Sequence, residues 1–173
     1  MDLFDGPAVD AGLLTLRVLV GVTFSLHGFQ KLFGWLGGGG LDGTAAWFRS
    51  LGFGDGRAAA VMAGTAEIGG GLGLAAGFLT PVAAAAMIGA MTTAAFVNNA
   101  EGGFWSVYKG WELNGILIAV ALALATAGPG SYSLDAVLGL EQISGLGPGL
   151  LAGVVGVVLG WARWATRDRS PED

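Results

Sequence analysis

Apolar residues run along this chain in long unbroken stretches. They show neither the alternation of a half-buried strand nor the single stripe of a surface helix. No Asp, Glu, Lys or Arg stands between Glu67 and Glu101. About 18 consecutive apolar residues already read as one membrane span, so this run is long enough for two spans joined by a turn. The pattern predicts five spans, at residues 11–33, 58–79, 81–97, 111–127 and 149–165. Each is near the ~20 residues needed to cross a hydrocarbon core of ~30 Å. The second and third meet at Thr80–Pro81, where proline pre-sets a first helical turn. The fourth stops at Gly128-Pro129-Gly130. After the first span, Gly37 to Gly40 break the helix, and residues 44–51 read as a short interfacial helix with Trp47, Phe48 and Leu51 as its apolar residues. The expected fold class is all-α, a polytopic transmembrane helix bundle with a four-helix core plus a fifth C-terminal span. Its parts are a core at 11–136, an outer connection and additional transmembrane helix at 137–165, and a cytoplasmic tail at 166–173.

Composition agrees with the pattern: 53% of the 173 residues are hydrophobic and 12% charged, against about 25% charged in soluble domains. Five spans place Lys31, Arg49, Arg57, Lys109, Arg163, Arg167 and Arg169 on one side. The other side holds the N-terminus, the Thr80 turn and residues 129–148, none of them basic. Basic residues concentrate on the cytoplasmic side, so the N-terminus is expected outside and the C-terminus in the cytoplasm. Trp35, Trp105, Tyr108, Trp111, Trp161 and Trp164 then lie near the cytoplasmic interface, where aromatic rings anchor helices. Residues 1–10 carry acids and no base, the wrong charge for the start of a signal peptide, so the first span is expected to act as an uncleaved anchor. The net charge of −5 argues against nucleic-acid partners. With no cysteine, the chain itself carries no disulfide, thiolate metal site or thiol chemistry. Gly69, Gly73 and Gly77, Gly149/Gly153 and Gly156/Gly160 repeat at intervals of four. Intramolecular packing is favoured over a dimer face as their use.

Ionisable groups inside a span cost about 2.5–3.5 kcal/mol each at its centre, so they are the informative positions. Glu67 lies deep in the second span and is too short to snorkel. It must be protonated, paired with His27 or Lys31, or hydrated. His27, the sole histidine, lies near the cytoplasmic end of the first span, with Gln30 and Lys31 on its face at i+3 and i+4. Asn98 and Asn99 end the third span, and Glu112 and Asn114 begin the fourth at the same level. These residues are expected to line a polar pocket in the cytoplasmic half. Each also has a plainer reading. Lys31 is expected to snorkel to the interface, with Arg17 equally disposed to reach the outer headgroups. Asn98, Asn99 and Glu112 are as well explained as helix-end residues, and His27 as an interhelical hydrogen bond.

Four stretches resemble the DoxX family. They are Arg17, Gly21 and Phe24 leading into His27-Gly28-Phe29-Gln30-Lys31-Leu32-Phe33; Gly64-Thr-Ala-Glu67-Ile-Gly-Gly70; Gly102-Gly-Phe104 with Trp111-Glu112-Leu-Asn114; and Gly128-Pro-Gly-Ser-Tyr132-Ser-Leu-Asp135-Ala. The family is similar to the small membrane subunit of thiosulfate:quinone oxidoreductase. The resemblance implies a four-helix core in a bacterial or archaeal cell membrane, a redox-associated subunit and contact with quinone. Tyr132 and Asp135 match the family pattern, with shaping the outer segment as their expected role.

Three functions fit this reading. The first is a redox-complex subunit holding quinone in the cytoplasmic-half pocket, with His27 and Gln30 as donors and Glu67 as a proton relay. The chain has no haem-ligating histidine pair, iron–sulfur cysteines or dinucleotide fingerprint. No intrinsic cofactor or metal is therefore expected, and other subunits must supply electrons. The second is a scaffold recruiting soluble redox enzymes through its loops and Arg-rich tail. The third is a proton-coupled small-molecule transporter, although no internal repeat supports it.

Overall fold

The computed structural model describes residues 6–168, apart from the side chains of Ala100 and Glu101. Arg169 and the end of the expected tail lie outside the described residues, as do residues 1–5. The described chain is all helical, without strands: α1 (Pro7–Phe33), α2 (Gly40–Ser50), α3 (Gly56–Ala76), α4 (Thr80–Gly102), α5 (Glu112–Ala127), the single turn α6 (Leu134–Val137) and α7 (Leu146–Ala165). The protein is a multi-pass membrane protein, with α1, α3, α4 and α7 each long and apolar enough to cross a bilayer.

The helices begin and end where backbone chemistry dictates. α1 starts four residues before the expected span because Pro7 sits in its first turn. α3 starts on the Asp55 side chain, which accepts from the backbone of Arg57 and Ala58, and stops at Gly77 in the left-handed conformation. α5 is short for a membrane span. Its 16 residues give about 24 Å at 1.5 Å per residue, because Gly128-Pro129-Gly130 cuts it at one end and the Gly103–Trp111 loop at the other. It nevertheless joins the two ends of the bundle. Asn114 meets Asn98 near the end of α4, and Ala125 O accepts from Gly145 N just before α7.

α3 packs between α1 and α4, and α4 packs in turn on α5 and α7, which also pack on each other. Phe24, Leu74, Met87, Ile88, Ala121 and Leu124 fill the centre. All four of the expected fifth-span glycines meet neighbouring helices closely, a Cβ on Gly149 running into Thr126 of α5. A Cβ on Gly153 would touch Leu122, one on Gly156 would meet Ile88, and one on Gly160 would meet Thr92. The expected glycine face of α3 does not form as a unit, since Gly69 faces open space, Gly73 meets Ala83 and Gly77 lies against Arg17. α2 is more than an interfacial helix. Ala45 and Phe48 are buried with Phe53, Ala59, Ala60 and Val97 in a second apolar cluster, while Trp47 stays exposed.

α1 and α3 approach each other very closely. A Cβ on Gly28 would stand 2.6 Å from Gly64 O and 2.9 Å from Ile68 N, so the backbones nearly touch, as small residues permit. Gly28→Ala is expected to force the two helices apart and destabilise the protein by about 1–3 kcal/mol, the usual cost of overpacking. Gly69→Ala, where the added methyl meets nothing, is expected to be near neutral. Unfolding of both variants in detergent checks the contrast.

Candidate functional site

The close approach of α1 and α3 decides where Lys31 goes. Helical side chains lean toward the N-terminus of their own helix. α1 and α3 are antiparallel, so Lys31 leans inward along α1 and Glu67 leans along α3 to meet it. Lys31 Nζ lies 2.8 Å from Glu67 Oε1 and 2.7 Å from Oε2. The Glu67 side chain is 6% exposed and that of Lys31 22%. Lys31 therefore does not snorkel to the interface; the carboxylate holds it inside. Thr44 Oγ1 of α2 donates to the Lys31 carbonyl, so the segment between the first two spans is fastened to the same residue.

α4 and α5 complete the cluster. Asn98 Nδ2 donates to Asn114 Oδ1 at 3.0 Å, and Asn114 Nδ2 points at Met91 Sδ at 3.5 Å. A cavity of about 420 Å³ connects these groups. Inside the bundle it is lined by Phe24, His27, Lys31, Glu67, Met91, Asn98, Asn114 and Leu117. It continues past Ala63, Ala90 and Ala94 to the outer surface, where lining residues Met62 and Leu159 are exposed. An apolar recess with a few convergent polar groups is the general form of a small-molecule site.

The structure brings together His27, Lys31, Glu67, Asn98 and Asn114, and leaves out three other residues expected there. Gln30 turns to His27, with Oε1 3.1 Å from Nδ1. Asn99 is exposed. Glu112 Oε2 accepts from Ser106 N, pinning the single 3-10 turn of the preceding loop, and does not line the cavity.

Arg17, Tyr132 and Asp135 form a second cluster at the opposite end. Arg17 is 2% exposed, so it does not reach the outer headgroups. Its Nη2 donates to the Tyr132 carbonyl, while its Nε and Nη1 are buried without a hydrogen-bond partner among the described residues. Asp135, fully buried, accepts from Leu79 N, Thr80 N and Thr80 Oγ1, capping α4 from 55 residues away in sequence. Asp10 accepts from Ser131 N. These bonds strap the loop after α5 onto α1 and the α3–α4 turn.

The DoxX family model matches residues 12–100, more than half of the chain and all of the segment carrying Lys31 and Glu67. The chain belongs to the DoxX family. No curated protein and no solved structure matches it. The matched stretch runs from α1 to near the end of α4, so the two later motifs of this DoxX-family chain lie beyond it.

Several cavity residues were absent from the expected set. Met91 was not singled out in the sequence, and Phe24 entered only through the family pattern. Arg163 lines the cavity and covers the Phe53 ring at 4.6 Å; only its place in the last turn of α7 marked it. Trp47, Phe48 and Phe53 close the basic end.

Breaking a buried pair by removing one partner costs about 3–5 kcal/mol, whereas replacing both with apolar groups is often neutral. Lys31 is partly exposed, so Lys31→Met and Glu67→Met are each expected near the lower figure, about 3 kcal/mol. The double variant is expected to recover most of that loss. Unfolding midpoints of the three variants in detergent check it; additive losses would show that the pair is not coupled.

Proposed function

We propose that this chain is the membrane-embedded, ligand-binding subunit of a redox complex, with a quinone held in the cavity beside Lys31 and Glu67. The observation that carries the reading is the cavity itself, with apolar walls, an opening at the lipid-facing surface and a charged pair at its polar end. A quinone needs a slot reached from the bilayer and a hydrogen-bond donor for each carbonyl. The residues fit. Two Lys31 N–H groups are committed to Glu67, which leaves one of an ammonium's three donors. His27, one turn before Lys31 on α1, and the Asn98–Asn114 pair of α4 and α5 line the same cavity. The expected donor Gln30 is replaced in this reading by Lys31.

When bound, the quinone supplies a two-electron, two-proton acceptor chemistry. The electrons come from a partner subunit with its own carrier. The chain's contribution is to orient the ring, exclude water and hold a proton at Lys31 Nζ. Glu67 holds that ammonium in place through both carboxylate oxygens, and His27, one turn further into α1, lines the same cavity. Lys31, Arg57, Lys109, Arg163 and Arg167 mark that end as cytoplasmic, with the N-terminus outside.

Adding ubiquinone or menaquinone to the purified full chain in detergent is expected to raise its unfolding temperature. The stabilisation is about 2.7 kcal/mol at 100 times the dissociation constant, and it is lost in the double Lys31→Met, Glu67→Met variant. No rise in the native chain, or an equal rise in the double variant, overturns the reading. Orientation is tested separately, because the native chain offers a cysteine-free background. An impermeant maleimide on intact cells is expected to label Tyr132→Cys and not Val107→Cys, both exposed positions; the reverse pattern refutes the assignment.

A further inference from the structure

The cavity has an outer arm that the pair at Lys31 and Glu67 does not use. Ala86, Gly89, Ala90, Thr93 and Val97 line it from α4, at spacings that put them on one face of the helix. That face lies between two packed neighbours. On one side Gly70 of α3 meets Ala83 and Ala86; on the other Gly156 and Gly160 of α7 meet Ile88, Gly89 and Thr92. The floor is made of small side chains, while Met62 of α3 and Leu159 of α7, both lining and both exposed, form raised walls. The result is a groove open to lipid.

Its two ends differ. Arg163 lines the basic end, with its guanidinium 4.6 Å from the Phe53 ring centroid. The ion pairs among the described residues are Lys31–Glu67 and Arg57–Asp42, so Arg163 has no carboxylate partner there. Arg167 follows one turn later. From Val97 to Ala86 the groove runs about 16 Å at 1.5 Å per residue. That is about half of a ~30 Å hydrocarbon core, the depth of one leaflet. A cation at the interface above an apolar trough one leaflet deep is complementary to one molecule, an acyl chain carrying an anionic head.

We infer that the groove between α3 and α7 holds an anionic phospholipid, with its phosphate on Arg163 and a chain along the small-residue face of α4. Basic pockets between transmembrane helices bind anionic headgroups in this way. Charge at Arg163 selects the head, and the shallow α4 floor admits the chain. The site uses other residues than the proposed quinone contacts, and it stands if those fail.

The test places the full chain in nanodiscs of phosphatidylcholine with and without phosphatidylglycerol, and reads both the unfolding temperature and the lipid retained on transfer to detergent by native mass spectrometry. The native chain is expected to be stabilised by phosphatidylglycerol and to retain it. Arg163→Gln is expected to weaken retention about fivefold, the effect of one basic charge near the membrane surface. Arg163→Lys is expected to keep most of it. Ala90→Phe, which fills the floor without changing charge, is expected to lose it. Arg57→Gln, removing a cation paired with Asp42, is the control and is expected to retain lipid normally. Equal retention by the native chain and Arg163→Gln overturns the inference, as does equal loss in Arg57→Gln. Stabilisation of the same size by glycerol phosphate without chains also overturns it, because the site would then bind a free anion and not a lipid.

Discussion

The near-contact of the α1 and α3 backbones is the constraint on which the basic half of the molecule depends. Gly28 against Gly64 and Gly21 against Gly71 bring the helices so close that no Cβ fits between them. At that separation two side chains leaning toward their own N-termini, on antiparallel helices, converge. Lys31 and Glu67 are those side chains. Separate the helices by one methyl and the ammonium no longer reaches both carboxylate oxygens. An uncompensated charge would then stand in the apolar interior. The same lysine accepts Thr44 through its carbonyl, so the position of α2, and with it the closure of the cavity by Phe48 and Phe53, follows from this one approach.

The two polar clusters of the bundle differ in what they leave available. In the cluster at Arg17, the Asp135 carboxylate is committed to two backbone N–H groups and a hydroxyl, and Arg17 Nη2 donates to the Tyr132 carbonyl, while its Nε and Nη1 are buried without a hydrogen-bond partner among the described residues. Buried groups whose partners are mainly backbone hold a loop in place, because leaving such groups unmade is costly. In the cluster at Glu67, the bonds run side chain to side chain, and a cavity adjoins them. That contrast is why one cluster reads as architecture and the other as a candidate site, although both contain a buried acid and a nearby base.

The spans were legible because a hydrophobic run and a Gly or Pro stop are local signals, and so was Glu67, since no plain reading suits an acid in mid-span. The fate of Lys31 and Arg17 was not legible. Snorkelling describes a lone helix in lipid, where a long cation lowers its energy by reaching the headgroups. A neighbouring helix that offers a carboxylate or a carbonyl inside reverses the choice, and only packing reveals that neighbour. Glu112 misled for a related reason. At a helix start beside Asn114 it looked like part of a polar layer, but the tight turn at Ser106–Tyr108 left a backbone N–H that it satisfies. α5 (Glu112–Ala127) matches the expected 111–127 to within one residue, yet its 16 residues fall about four short of the ~20 that a bilayer core requires.

The ion pair at Lys31 and Glu67 is not accounted for by stability alone. Two apolar side chains of similar size would hold α1 against α3 at least as well, because the desolvation of two charges offsets most of their attraction. What the pair adds is a lysine Nζ held by Glu67 at the polar end of an apolar cavity that His27 also lines. A ligand arriving from the bilayer with a carbonyl to satisfy meets that donor without having to bring its own solvation, and this is the physical ground for reading the cavity as a binding site and not as a packing defect.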